Sequence, residues 1–130
     1  MVKVPLISVV DDDMSVREAT AGLLESHGYG TAAFASAEEF LHSQSLADTS
    51  CLVTDVRMPG VSGVDLQRRL LDAGRRIPTI FMTAYPEEHM RVAALRGGAL
   101  GFLTKPVSEE RLISCIEAAL EQHAGQGFKQ

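Results

Sequence analysis

The chain has little that would tie it to a polyanion, a membrane or a transition metal. Its 130 residues hold 12 lysines and arginines against 17 aspartates and glutamates, a formal net charge of −5. A phosphate backbone needs a basic face, so this balance argues against direct binding of nucleic acid. No apolar run approaches the ~20 residues of a membrane span. The opening MVKVPLISVVDDD meets acid too soon for a signal peptide. The expected setting is therefore soluble and cytoplasmic. There are two cysteines, Cys51 and Cys115, each inside an apolar stretch and read as buried, reduced core thiols. The four histidines (His27, His42, His89, His123) lack zinc-finger or zincin spacing. No internal repeat or low-complexity block is present. What remains is an ordinary composition, 45% hydrophobic and 22% charged, at a length that suits one domain with one core and needs no metal or disulfide to hold it.

Short apolar runs alternate with helical periodicity. Val4 to Val10 is a strand-like run ending in acids. Val16, Ala19, Leu23 and Leu24 then follow the spacing of one buried helix face, stopped around Gly28 and Gly30. Thr31 to Ala35 reads as a second strand. Ser36, with Glu39 three residues on, reads as a capping box opening a short helix. Cys51 to Thr54 is a third apolar run, and Met58-Pro59-Gly60 a loop. Ser62 to Ala73 is a helix closed by Gly74. Thr79 to Met82 is a fourth run, Glu87 to Arg96 a helix closed by Gly97-Gly98, and Gly101 to Thr104 a fifth run. Ser108 caps a last helix, with Glu109 and Glu110 in its first turn and a stripe of Leu112, Cys115, Ile116, Ala119 and Leu120. Five strands alternating with five helices predict an α/β fold with a parallel sheet covered on both faces. At this length the candidate is an open doubly wound sheet of order 2-1-3-4-5, whose ligands sit at the carboxyl ends of strands 1 and 3.

Those ends carry the chemistry. Strand 1 runs into Asp11-Asp12-Asp13, strand 3 into Asp55, strand 4 into Thr83 and strand 5 into Lys105. Lys105 is one of only three lysines, and the others lie near the termini. Capping the first helix accounts for Asp13, but Asp11 and Asp12 exceed what a cap needs. Thr83 alone could be a strand-end hydroxyl and Lys105 alone a solvated lysine; opposite clustered acids both gain meaning. Converging carboxylates must take up protons or hold a cation. An all-oxygen donor set selects a hard ion, Mg²⁺ or Mn²⁺, which leaves positions open for phosphate oxygens. Asp55 can then act as a nucleophile toward phosphorus, with Lys105 neutralising the transferred group and Thr83 donating a hydrogen bond to it.

The segments V-V-D-D-D, L-V-T-D-V-R-M-P-G-V-S-G, F-M-T-A-Y and G-F-L-T-K-P, in this order over residues 4 to 122, closely resemble the receiver domain of two-component response regulators, the FixJ-type subfamily most of all. The resemblance implies a flavodoxin-like receiver fold with Asp55 as phosphoacceptor for a sensor histidine kinase. It implies Mg²⁺ held directly by Asp12, Asp55 and the backbone carbonyl of Arg57, with Asp11 acting mostly through water. Thr83 would be the switch hydroxyl, Phe102 the rotating aromatic of the output face, and Lys105 the phosphate ligand that pairs with Asp55 when phosphate is absent. It also implies a cis Lys105–Pro106 bond and a homodimer formed on phosphorylation through the face of helix 4, strand 5 and helix 5.

Residues 1–123 are expected to form the receiver and 124–130 a polar tail or linker stub. No output domain follows, so the chain reads as a stand-alone receiver or, preferably, an excised N-terminal half of a transcription regulator. Gly97, Gly98 and Gly101 depart from the family pattern and put the order of that segment in question. Other functions fit less well. A phosphatase with an aspartate nucleophile wants a second acid two residues on, where Arg57 stands. A flavin or nucleotide site wants a Gly/Ser/Thr-rich loop where three acids stand. The intact acids, Thr83 and Lys105 argue against a receiver-like module that is never phosphorylated.

Overall fold

A computed structural model describes residues 4–128, with side chains through residue 122. The elements are β1 (Leu6–Val10), α1 (Met14–Ser26), β2 (Gly30–Phe34), α2 (Ala37–Leu41), a 3₁₀ turn (Gln44–Asp48), β3 (Thr49–Asp55), α3 (Gly63–Asp72), β4 (Thr79–Thr83), α4 (Glu88–Arg96), β5 (Gly101–Thr104) and α5 (Glu109–Phe128). The five strands form one sheet of order β2-β1-β3-β4-β5, and every pairing is parallel. Each crossover is a helix, so both faces are covered and the strands β1, β3 and β4 are buried almost throughout. That burial is why they read as continuous apolar runs.

The two-residue period of the strands sorts their side chains into two cores. Ile7, Val9, Cys51, Val53, Ile80 and Met82 pack with Leu24 of α1 and with Leu112 and Ile116 of α5. On the other face Val10 and Leu52 pack with Phe40 of α2 and with Leu66 and Leu70 of α3. Phe81, Val56 and Ala94 of α4 complete that side, with Phe102 half-buried against them. Phe81 and Phe102 lie 6.4 Å apart between ring centroids.

The caps form where side-chain chemistry asks for them. Ser36, Ser62 and Ser108 accept the N–H groups of Glu39, Asp65 and Arg111, each at 3.1 Å. The capping box of α2 closes one residue early, because Glu39 accepts the N–H of Ala35 at 3.3 Å. Several expectations need correction. Ala19 is exposed, and Thr20 is buried on α1 together with Leu24; the core-facing side runs Val16, Thr20, Leu23, Leu24, and a threonine at its centre hid it from a purely apolar reading. Cys51 is fully buried but Cys115 is only half-buried; both are free thiols. Burial raises the Cys51 thiol far above its ordinary pKa, with Cys115 adding to the effect. Leu120 is half-buried too. Val4 is exposed and lies outside β1. The 3₁₀ turn before β3 carries no apolar period and was not expected. The final turns of α5 extend into the segment read as a polar tail, and the last part of that segment lies outside the described residues.

Gly97 and Gly101, around the end of α4, are explained by close packing rather than by softness, whereas Gly98 has open space around it and a φ of 96° that favours glycine. A Cβ on Gly97 would stand 2.5 Å from Oε1 of Gln67, and one on Gly101 would stand 2.9 Å from Sγ of Cys115. Gln67 is buried on α3, and its Nε2 donates to the carbonyl of Ala94 at 3.1 Å. This bond fastens α4 to α3. Gln67→Leu keeps the volume and removes the donor. Because Ala94 O also accepts the N–H of Ala99 at 3.0 Å, the expected loss is about 1 kcal/mol in urea unfolding, with faster amide exchange confined to residues 88–98. Unchanged exchange there would mean that the bond holds nothing.

Candidate functional site

The carboxyl ends of β1 and β3 are neighbours in the sheet, and their first loop residues converge. Asp11 is fully buried. Its Oδ1 accepts the N–H of Asp13 at 2.9 Å, and its carbonyl accepts Nη1 of Arg17 at 2.7 Å. The chain is thus folded back at the end of β1 and held there. Asp13 faces outward and caps α1, its carboxylate accepting the N–H of Val16 at 3.2 Å. Asp12 is exposed and spends its carboxylate on neither task. Asp55 ends β3 with its Oδ1 accepting the N–H of Arg57 at 3.1 Å. Carboxylate oxygens of Asp11, Asp12 and Asp55 lie within 4.8 Å of one another.

Lys105 completes the cluster. It follows β5, where its N–H donates to the carbonyl of Thr83 at 2.7 Å, and the Lys105–Pro106 bond is cis, as the resemblance implies. Its Nζ donates to Asp11 at 2.8 Å and to Asp55 at 3.0 Å. Only 15% of its side chain is exposed. One ammonium therefore stands between two acids, not only beside Asp55. Burial works to lower the pKa of Lys105, but the hydrogen bonds to Asp11 and Asp55 outweigh it and the net shift is upward. Burial raises Asp55; Lys105 and the N–H of Arg57 oppose this, Asp11 reinforces it, and the net shift is again upward. One cation for three carboxylates leaves the cluster short of positive charge, and a hard divalent ion suits the all-oxygen donor set.

Thr83 is buried at the end of β4, one strand from Asp55, and its Oγ1 accepts the N–H of Tyr85 at 3.1 Å. That bond uses an oxygen lone pair and leaves the hydroxyl proton to donate elsewhere. Tyr85 itself is 73% exposed. The Arg57 side chain turns away from the acids and pairs with Glu87 at the start of α4. Phe102 lies on β5 beside Phe81 and away from the acid cluster.

Two residues matter more than their spacing suggested. A Cβ on Gly63 would stand 2.2 Å from the carbonyl oxygen of Asp55. Here α3 starts almost on top of the β3 backbone, and the N–H of Gly63 donates to Val56 O at 2.9 Å. Glu38 of α2 accepts the N–H of Val61 at 3.4 Å and supports the loop after Asp55. The signal for Gly63 was a glycine at the first helical position, where it weakens a helix unless something needs the space. Glu38 gave no signal beyond its place near a helix start.

The match to the response regulator receiver domain family covers residues 7–117. The chain belongs to that family. It is 42% identical over 116 residues to the response regulator protein TodT of Pseudomonas putida, a match covering 89% of this chain and 51% of TodT. It is 40% identical over 124 residues to the transcriptional regulatory protein FixJ of Azorhizobium caulinodans, covering 95% of this chain and 59% of FixJ. The solved structure of the response regulator StyR superposes with a TM-score of 0.88 at 42% identity, covering 95% of this chain and 63% of that one. The chain thus spans about half the length of the curated relatives it matches, and that shared half is a receiver domain of two-component signalling. Among the described residues no helix is long and apolar enough to cross a membrane.

Proposed function

We propose that this receiver is a cytoplasmic, phosphorylation-activated switch that takes a phosphoryl group onto Asp55 from the phosphohistidine of a sensor histidine kinase. The observation that carries this reading is the single ammonium of Lys105 held between Asp11 and Asp55, with Asp12 beside them. Asp12, Asp55 and the backbone carbonyl of Arg57 would hold Mg²⁺, with Mn²⁺ able to substitute and Asp11 acting through water. The ion supplies charge neutralisation for phosphate oxygens during transfer. An Asp55 oxygen attacks phosphorus as the P–N bond to the kinase imidazole breaks, and the imidazole takes up a proton as it leaves. Lys105 is already in place to neutralise a phosphoryl oxygen, and the Thr83 hydroxyl proton can donate to another. The chain catalyses its own phosphorylation and dephosphorylation and turns over no other substrate.

A phosphoryl group on Asp55 then biases the buried Thr83 and the half-buried Phe102. Thr83 moves toward it, and Phe102 rotates into the space. The face of α4, β5 and α5 changes and favours a homodimer, through which a following output domain would control transcription. A tenfold shift in dimerisation needs about 1.4 kcal/mol of differential stabilisation.

Three experiments bear on this. With acetyl phosphate and Mg²⁺, acetate release should show a burst of about one equivalent as the phosphoryl group passes to Asp55, and slow turnover afterwards; fast steady release of phosphate would indicate a phosphatase. In sedimentation, beryllofluoride should shift monomer to dimer, whereas an unchanged monomer with unchanged exchange in residues 87–107 would refute the output step. The metal assignment is checked by Mg²⁺ titration of two variants. Asp12→Ala should weaken binding about tenfold or more, since it removes an uncommitted charged ligand. Asp13→Ala should barely change it, since that carboxylate caps α1, and should lower stability by about 1 kcal/mol instead. A larger Mg²⁺ loss for Asp13→Ala would reverse the assignment.

A further inference from the structure

Five of the nine arginines gather at the end of the sheet opposite Asp55. Arg68 and Arg69 lie on α3, Arg75 and Arg76 in the turn to β4, and Arg96 ends α4; all five are exposed. None has an ion pair or a side-chain hydrogen bond among the described residues. Other basic groups of this acidic chain are engaged: Arg57 with Glu87, Arg91 with Glu88, Lys105 with Asp11 and Asp55, and Arg17 with the carbonyl of Asp11. Arg111, on α5, is the one other arginine without such a contact among the described residues. With acids in excess, the unpaired guanidinium groups of Arg68, Arg75, Arg76 and Arg96, which line two adjoining hollows, are a local reversal of the molecule's charge.

The same corner is concave. A hollow of about 150 Å³ lies beside Arg75 and Arg76, and one of about 390 Å³ runs between α3 and α4 beside Arg68 and Arg96. They share Gln67, Leu71 and Gly97 and form one groove. Leu71 stands in it 47% exposed, an apolar residue with basic groups on both sides. Asp72 contributes one carboxylate to the rim.

We propose that this groove docks an acidic segment of a partner protein, an apolar side chain seated on Leu71 and carboxylates reaching the arginines on either side. Guanidinium groups match carboxylates in a bidentate fork and are more weakly hydrated than ammonium groups. A nucleic acid duplex is disfavoured because its charge extends beyond the patch and meets the remainder of a molecule of net charge −5. A short peptide feels mainly the charges within a Debye length of roughly 8 Å. The site is remote from Asp55 and does not depend on phosphorylation chemistry.

The test titrates the ¹⁵N-labelled chain with a blocked hexapeptide of four glutamates and two leucines. Shifts are expected in residues 67–77 and 93–98 and should weaken with added salt. The double variant Arg75→Glu/Arg76→Glu should bind about tenfold more weakly, two exposed ion pairs lost at ~0.7 kcal/mol each. Its mass gain with acetyl phosphate should be unchanged, which separates this site from the one at Asp55. The proposal is overturned by shifts scattered over the surface or absent, by equal binding of the double variant or of a peptide with glutamine in place of glutamate, or by a DNA duplex or anionic vesicles engaging the same residues more tightly at the same salt.

Discussion

Asp55→Asn is expected to gain no phosphoryl mass from acetyl phosphate under conditions that modify the parent chain, while its fold survives. An amide oxygen is a poor nucleophile and cannot form an acyl phosphate. Neighbouring Asp11 cannot replace it: that side chain is fully buried and already accepts both the N–H of Asp13 and Nζ of Lys105. The fold should tolerate the change because asparagine keeps the shape and an oxygen for the N–H of Arg57, and Lys105 keeps its bond to Asp11. Losing the negative charge weakens one partner of Lys105 but relieves repulsion from Asp11, so stability should move by no more than about 1 kcal/mol. Intact mass and a urea unfolding curve check both halves. A variant phosphorylated at the parent rate would move the acceptor elsewhere in the chain.

Gly63→Ala should be the most damaging single methyl group near the site. The added carbon would overlap the carbonyl oxygen of Asp55 at 2.2 Å and press on its carbonyl carbon and on Cε1 of Phe81, both at 3.1 Å. These are backbone and a buried ring, neither free to swing aside. Relief requires α3 to lift from β3, which strains the pairing of Gly63 N–H with Val56 O and moves the loop that carries Arg57. Overpacking of this kind costs about 3 kcal/mol. The phosphorylation rate should fall as well, because the carboxylate of Asp55 moves with its backbone. Gly74→Ala is the contrasting change: a Cβ there meets nothing within 4 Å, but its φ of 76° strains any other residue by roughly 1–2 kcal/mol. Equal losses for the two would mean that crowding at Asp55 is not the cause.

The strands and the strand-end chemistry were legible because they rest on strong local signals, and the order 2-1-3-4-5 was expected because it is a common arrangement of five such strands. Buried parallel strands write continuous apolar runs, and acids or a lysine at the end of such a run stand out against it. That is how Asp11, Asp12, Asp55, Thr83 and Lys105 could be brought together from sequence, and their shared end of the sheet follows from the β1–β3, β3–β4 and β4–β5 adjacencies. What could not be read were contacts between elements distant in sequence. Lys105 was expected on Asp55, and its equal engagement with Asp11 depends on the depth at which the loop after β5 settles. Gln67 looked like a polar residue on a helix; only the packing of α4 shows that it lies on the buried face with Gly63, Leu66 and Leu70. The glycines at 97 and 101 read as weakness because a sequence displays the missing side chain but not the Gln67 and Cys115 atoms that occupy its place. The arginines were legible as letters and invisible as a patch, since α3 and α4 had to be placed side by side before Arg68 and Arg96 could line one groove.

The most direct test of the switch is to locate the phosphoryl group. The chain is incubated with acetyl phosphate and Mg²⁺, trapped with borohydride, which reduces an acyl phosphate to an alcohol, and digested for peptide mass analysis. The expected product carries homoserine in place of Asp55, appears only when donor and Mg²⁺ are both present, and is absent from Asp55→Asn. Reduction at Asp11 or Asp12, or a phosphoryl group found instead on a hydroxyl or histidine side chain, would contradict the assignment of Asp55 as the acceptor.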